Sequence, residues 1–102
     1  MKLAILLYGL ESENDKLKII MDKLQEQLNK LNTDLCEVVF KVNEEESVEE
    51  KKAWLLSQTE AKKYVFITAK TEIPDNFLIY RFTAVRAHKP TEKLIELGIF
   101  SK

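Results

Sequence analysis

Glycine and proline are scarce, with two of each in 102 residues. Long irregular loops and chains of tight turns are thereby excluded, because those segments draw on the special backbone angles of these residues. Cys36 is the only cysteine, so no disulfide can form within the chain. That usage points to a reducing compartment, with the cytoplasm as the expected location. One histidine and one cysteine cannot assemble a zinc site of the common kinds. Neither sign of charge dominates: 16 Lys and Arg face 17 Asp and Glu, a formal net charge of −1. No general attraction to nucleic acid or to an anionic membrane is expected from that balance. No apolar run approaches the roughly 18 residues of a membrane span. The opening run "KLAILLY" ends quickly in Gly9 and acidic residues, with no small-residue cleavage pattern, and reads as a strand rather than a secretion signal.

What is present is an ordinary globular balance, 45% hydrophobic and 32% charged. The length suits one domain over residues 1–102, which buries roughly two-thirds of its unfolded surface. Lys2 to Tyr8 is continuously apolar, as a strand covered on both faces would be. Ser12 offers an N-cap, with Asp15 three residues on, for a long helix. Leu17, Ile20, Leu24, Leu28 and Leu31 form its apolar stripe. "NTD" at 32–34 ends it. In "LCEVVFKV" at 35–42, Cys36, Val38, Phe40 and Val42 alternate with Glu37 and Lys41, the pattern of a strand at a sheet edge. Ser47 and Glu50 form a capping-box pair for a shorter helix through Trp54, Leu55 and Leu56. "KKYVFITA" at 62–69 is a third strand.

Strand, helix, strand, helix, strand implies right-handed crossovers and a mainly parallel sheet with the first strand in the middle. The fold class expected is α/β: a small three-layer domain with a βαβαβ start and C-terminal helices. Residues 73–89 fit a helix, with Pro74 near its first turn and Leu78, Phe82 and Val85 three and four apart, and also an alternating strand; the helix is preferred. "PTEKLIELGIF" reads as a short helix capped by Thr91 and stopped at Gly98, with Ile99 folding back onto it.

Ligand sites in such sheets lie at the carboxyl ends of the strands, here Gly9–Ser12, Asn43–Ser47 and Thr68–Asp75. Gly9 before a helix can admit a phosphate, although the dinucleotide fingerprint needs three glycines and this loop has one. Arg81, Arg86, His88 and Lys89 fall close together. Arg81 with His88 or Lys89 would share a helix face that could meet a phosphate or an acidic partner; the alternative is a solvated face. Glu44, Glu45, Glu46, Glu49 and Glu50 flank a helix N-terminus, where negative charge is favourable without a metal. Cys36 reads as a small core residue. Trp54 reads as core or as an interface anchor.

Residues 43–78 resemble a stretch common in family 2-like glycosyltransferases of the GT-A fold. In that family a polar loop precedes a helix with the pattern S-x-x-x-K-x-x-x-L, matched here by Ser47, Lys51 and Leu55. A "Y-V-x-F-I/V" strand follows, matched by Tyr64, Val65, Phe66 and Ile67. An "I-P-x-N-F/Y" segment comes next, matched by Ile73, Pro74, Asn76 and Phe77. Residues 4–28 would correspond to the first strand and helix of the nucleotide-binding half. The family's metal-holding aspartates, which neutralise a diphosphate leaving group, fall where this chain has Thr68, Ala69, Lys70 and Thr71. The resemblance therefore implies a truncated GT-A-like half without a metal site, a catalytic residue or a cofactor. Lys70 would supply positive charge where the metal would sit.

The function expected is a non-catalytic binding or protein-interaction module, with a protein partner or self-association through strand 35–42, Trp54 and the aromatic segment 77–82. The alternative is a nucleotide or nucleotide-sugar binder with residual transferase activity, using Gly9, Ser12, Thr68, Lys70 and Arg81. A small regulatory protein that blocks an enzyme is a third reading.

Overall fold

The structure, a computed structural model, describes residues 2–102. It is a small α/β domain with a four-stranded mixed sheet and four helices. The first strand, β1 (Leu3–Gly9), leads through a short 3-10 turn at Glu11–Glu13 into α1 (Asn14–Leu31). The edge strand β2 (Cys36–Val42) follows, then α2 (Val48–Ser57) and β3 (Lys63–Ile67). The chain closes with α3 (Phe77–Arg86), α4 (Thr91–Glu96) and the short strand β4 (Ile99–Ser101).

The strand order is β2-β1-β3-β4. β1 pairs in parallel with β2 (Leu3 opposite Cys36, Gly9 opposite Val42) and with β3 (Leu3 opposite Lys63). The expected central position of the first strand and the edge position of 35–42 both hold. The sheet is mixed, however, because β4 pairs antiparallel with β3, Val65 opposite Ile99. "IFS" is too short to announce itself by alternation. Ile99 does not fold back onto the preceding helix as a cap contact alone; it enters the sheet and is fully buried. Gly98, at φ +76°, makes the turn that sends it there.

Alternation along β1 explains why its run is apolar throughout. Leu3, Ile5 and Leu7 join Val65, Ile67 and Ile99 in one core cluster with Leu17, Ile20 and Leu24 of α1, Leu78, Phe82 and Val85 of α3, and Leu94 of α4. Ala4 and Leu6 enter a second, smaller cluster with Leu55 and Ala61, edged by Tyr8, Val39, Tyr64 and Phe66. Each fully buried Leu or Ile stabilises by roughly 1.5–3 kcal/mol.

Residues 77–86 are helix, so the alternating-strand option is overruled. The helix buries Phe77, Leu78, Phe82, Ala84 and Val85 against one core, which a strand of this composition would split between two faces. It ends earlier than a face containing Arg81, His88 and Lys89 requires. His88 adopts φ +52°, and the Lys89 amide turns back to the Ala84 carbonyl at 3.2 Å. This is a left-handed helix stop with histidine, one of the residues that tolerates the conformation, in glycine's usual place.

Two expected caps differ. Ser12 lies in the 3-10 turn and does not cap α1, which begins two residues later after Glu13. Thr91 is the first residue of α4, with Pro90 at the cap position. The Ser47 cap is as expected: its Oγ accepts from the Glu50 amide at 3.2 Å, and Glu50 Oε1 accepts from the Ser47 amide at 3.2 Å.

Candidate functional site

The carboxyl ends of β1, β2 and β3 lie side by side, because the three strands run parallel. Gly9 and Ser12 leave one strand there, and Thr68 and Lys70 leave another. The sequence thus brings four of its five candidate ligand residues to one end of the sheet. Arg81 stands on α3, where it donates to the Phe77 carbonyl at 3.1 Å and its guanidinium lies 3.7 Å from the Phe77 ring centre. Burial holds that guanidinium below its ordinary pKa. Among the described residues, no hydrogen bond joins Arg81 to the two loops.

Two amides of the β1–α1 loop already meet carboxylates. The Leu10 amide donates to Glu13 Oε1 at 3.0 Å, and the Ser12 amide donates to Glu44 Oε1 at 3.1 Å. These are the backbone N–H groups a phosphate would approach, and each meets a carboxylate supplied by the chain. Gly9 is explained by packing. A Cβ there would stand 2.6 Å from Leu17 Cδ1 and 3.2 Å from Glu13 Oε1. Its missing side chain makes room for core and carboxylate, not for a ligand.

Beneath this loop lies a residue whose chemistry was not singled out from the sequence. Lys51 is 2% exposed, the bulkiest of the fully buried side chains. Its ammonium donates to the Gly9 carbonyl at 2.9 Å and to the Asn43 carbonyl at 2.6 Å. It ties the carboxyl ends of β1 and β2 together at the point where both strands stop. The spacing Ser47, Lys51, Leu55 was the available signal. Steps of four along α2 set cap, ammonium and core residue on one helix face, so the pattern has a local physical meaning of its own.

The β2–α2 loop is self-contained. Asn43 Nδ2 donates to Glu46 Oε1 at 2.8 Å, and the Glu46 amide donates back to Asn43 Oδ1 at 3.0 Å. Lys41 Nζ stands 3.1 Å from Glu46 Oε1. The Asn43 amide first, and then Lys41, hold the Glu46 carboxyl below its ordinary value. The loop after β3 closes on itself as well. The Thr68 amide donates to Thr71 Oγ1 at 3.0 Å, and the Lys70 amide donates to Thr68 Oγ1 at 3.3 Å. Lys70 itself is exposed. Gln27 of α1 fastens the rest of this segment: its Nε2 donates to the Pro74 carbonyl at 2.7 Å, and its Oε1 accepts from the Leu78 amide at 2.8 Å.

Among the described residues, no three His, Cys, Asp or Glu side chains gather in a way that could hold a metal ion. No described helix is long and apolar enough to cross a membrane. Cys36 is buried at the start of β2, and burial raises its thiol pKa from 9.0 to about 11. A neutral thiol there adds stability that is complete below pH 9. That stability falls as pH climbs toward 11, because the unfolded chain deprotonates first. Native protein at pH 8 is expected to react with iodoacetamide far more slowly than urea-unfolded protein. Cys36→Ala is expected to flatten the fall in melting temperature between pH 9 and pH 10.5.

Outside the loops, the conspicuous feature is the free edge of β2. The Leu3 amide donates to the Leu35 carbonyl and the Asn43 amide to the Gly9 carbonyl, so odd-numbered residues of this strand face β1. Cys36, Val38, Phe40 and Val42 therefore turn their N–H and C=O groups outward. Phe40, expected on the buried face with Cys36 and Val38, is 58% exposed at this edge. Beside it lies an apolar hollow of about 210 Å³ lined by Leu17, Met21 and Val42 among others. Trp54 is 37% exposed, with Lys41 Nζ 4.4 Å from its ring centre. The aromatic segment 77–82 divides: Phe77 and Phe82 are core, while Ile79 and Tyr80 are exposed.

Comparison of the chain with protein-family models, with curated proteins and with solved structures finds no match in any of the three.

Proposed function

We propose that this chain is a protein-interaction module that takes up an extended partner segment along the outer edge of β2. The observation that carries the reading is the row of outward backbone groups at Cys36, Val38, Phe40 and Val42, with an exposed phenyl ring among them. Natural proteins shield such edges with proline, inward charge or a bulge unless pairing is wanted. Here the strand has no proline and no bulge, its two charges, Glu37 and Lys41, are held by Thr59 and Glu46 of the same chain, and its seven residues are enough for strand addition. The scaffold under this reading is a three-layer arrangement with helices on both sides of the sheet, akin to the nucleotide-binding half of a GT-A glycosyltransferase. The two core clusters and the central β1 support it.

The nucleotide-sugar alternative, through Gly9, Ser12, Thr68, Lys70 and Arg81, has less support. Glu13 and Glu44 hold the donors an anion needs, and Arg81 is engaged with Phe77.

The test is selection of peptides from a random displayed library at nanomolar bait, where two copies of the chain stay apart. The chain is expected to retain peptides with alternating apolar residues. Phe40→Pro removes an outward N–H without touching the ladder to β1, and it is expected to lose them. Equal recovery on both baits would end the reading. A manganese-dependent rise in melting temperature with a nucleotide sugar would move it to the alternative.

A further inference from the structure

We infer that the segment taken up by the β2 edge is β2 of a second copy, paired antiparallel about a two-fold axis through Val39; this rests on the edge reading above. The residues of the strand are self-complementary in that register. An axis at Val39 sets Glu37 opposite Lys41 of the second copy, and Lys41 opposite its Glu37. It sets Val38 opposite Phe40, and Cys36 opposite Val42. These four positions carry the outward backbone groups, so each outward N–H and C=O meets its counterpart. Glu37 and Lys41 then occupy the non-hydrogen-bonded pairs, where side chains come closest and opposite charges add to pairing.

Neighbouring registers lack this match. An axis at Val38 sets Glu37 against Val39, and an axis at Phe40 sets Lys41 against Val39. Both leave the charges without a cross-strand partner. In the Val39 register the two Phe40 rings become diagonal neighbours on the α1 face, within aromatic reach of each other. Each then adds cover to the apolar hollow at Met21 and Val42, which lies open in the single chain. On the opposite face Lys41 of one copy is shared between its own Glu46, at 3.1 Å, and Glu37 of the other.

Charge exchange tests this directly. By light scattering at about 100 µM the chain is expected at twice its 11.9 kDa mass, as a self-association Kd of about 1 µM requires. Glu37→Lys places four lysines at the contact and Lys41→Glu places four glutamates there. Each alone is expected to run as a folded monomer with native circular dichroism and a lower melting temperature, because Glu37 gives up the Thr59 hydroxyl and Lys41 its pair with Glu46. An equimolar mixture of the two restores opposite charges at every pair and is expected to run as a heterodimer. A wild-type monomer, single variants that dimerise like wild type, or a mixture that stays monomeric beside a dimeric wild type would each overturn the inference. A monomer that still selects strand peptides, and loses them in Phe40→Pro, overturns self-pairing alone and leaves the edge reading in place.

Discussion

Lys51→Met is expected to destabilise the domain by about 2 kcal/mol, a fall in melting temperature on the order of 10 °C. Two effects oppose each other at this site. Burying an ammonium costs desolvation, which methionine would remove while keeping most of the stem's packing. Against that, the ammonium satisfies the Gly9 and Asn43 carbonyls at 2.9 and 2.6 Å. Hydrogen bonds from a charged donor contribute about 1.5–3 kcal/mol each. The Gly9 carbonyl keeps the Asn43 amide, at 3.3 Å, when the lysine is gone, whereas the Asn43 carbonyl is left bare. Bonding wins by that margin. Lys51→Ala adds a cavity and is expected to cost about 4 kcal/mol. Denaturant melts measure both, and a methionine variant as stable as the parent would show that desolvation dominates. Amide exchange at 43–47 and at Gly9 should quicken first.

The second large effect is expected at Gln27. Gln27→Leu keeps the volume but strands the buried Leu78 amide, bound at 2.8 Å in the parent, while the Pro74 carbonyl keeps only the Phe77 amide at 3.1 Å. One buried orphan costs about 1–3 kcal/mol, so a loss of about 2 kcal/mol is expected. The exchange signature differs from that of Lys51→Met. Residues 71–80 should open while the β1–β2 ladder keeps its protection. If exchange rises evenly across the domain instead, Gln27 is not a local fastener between α1 and α3.

Much of the fold is legible because period and length agree. The stripe on α1 and the seven-residue run of β1 each admit one solution, and the Ser47–Glu50 cap announces α2. The misses have physical causes. β4 has three residues, too few to show a pattern, and its burial comes from Ile99 alone. The length of α3 was overestimated because a histidine took the left-handed stop that glycine usually signals. Phe40 belongs to the buried face by alternation, but an edge strand lets that face run out past the last covering helix. Lys51 was hidden by its type: a lysine among lysines reads as solvent-facing, and only the four-residue spacing to Ser47 and Leu55 marks it. Of the candidate ligand residues, the strand order brings Gly9, Ser12, Thr68 and Lys70 to one end. The carboxylates that fill the first loop come from Glu13 and Glu44, the latter 32 residues from the Ser12 amide it accepts.

Those two glutamates make the chain its own counter-ion. The loop an anion would approach is thus plugged from within by the chain's own carboxylates. The plug is shallow. Glycine at positions 13 and 44 would leave two amides bare beside the cation of Lys51. Two side chains thus decide whether this turn presents bare amides or a closed shell.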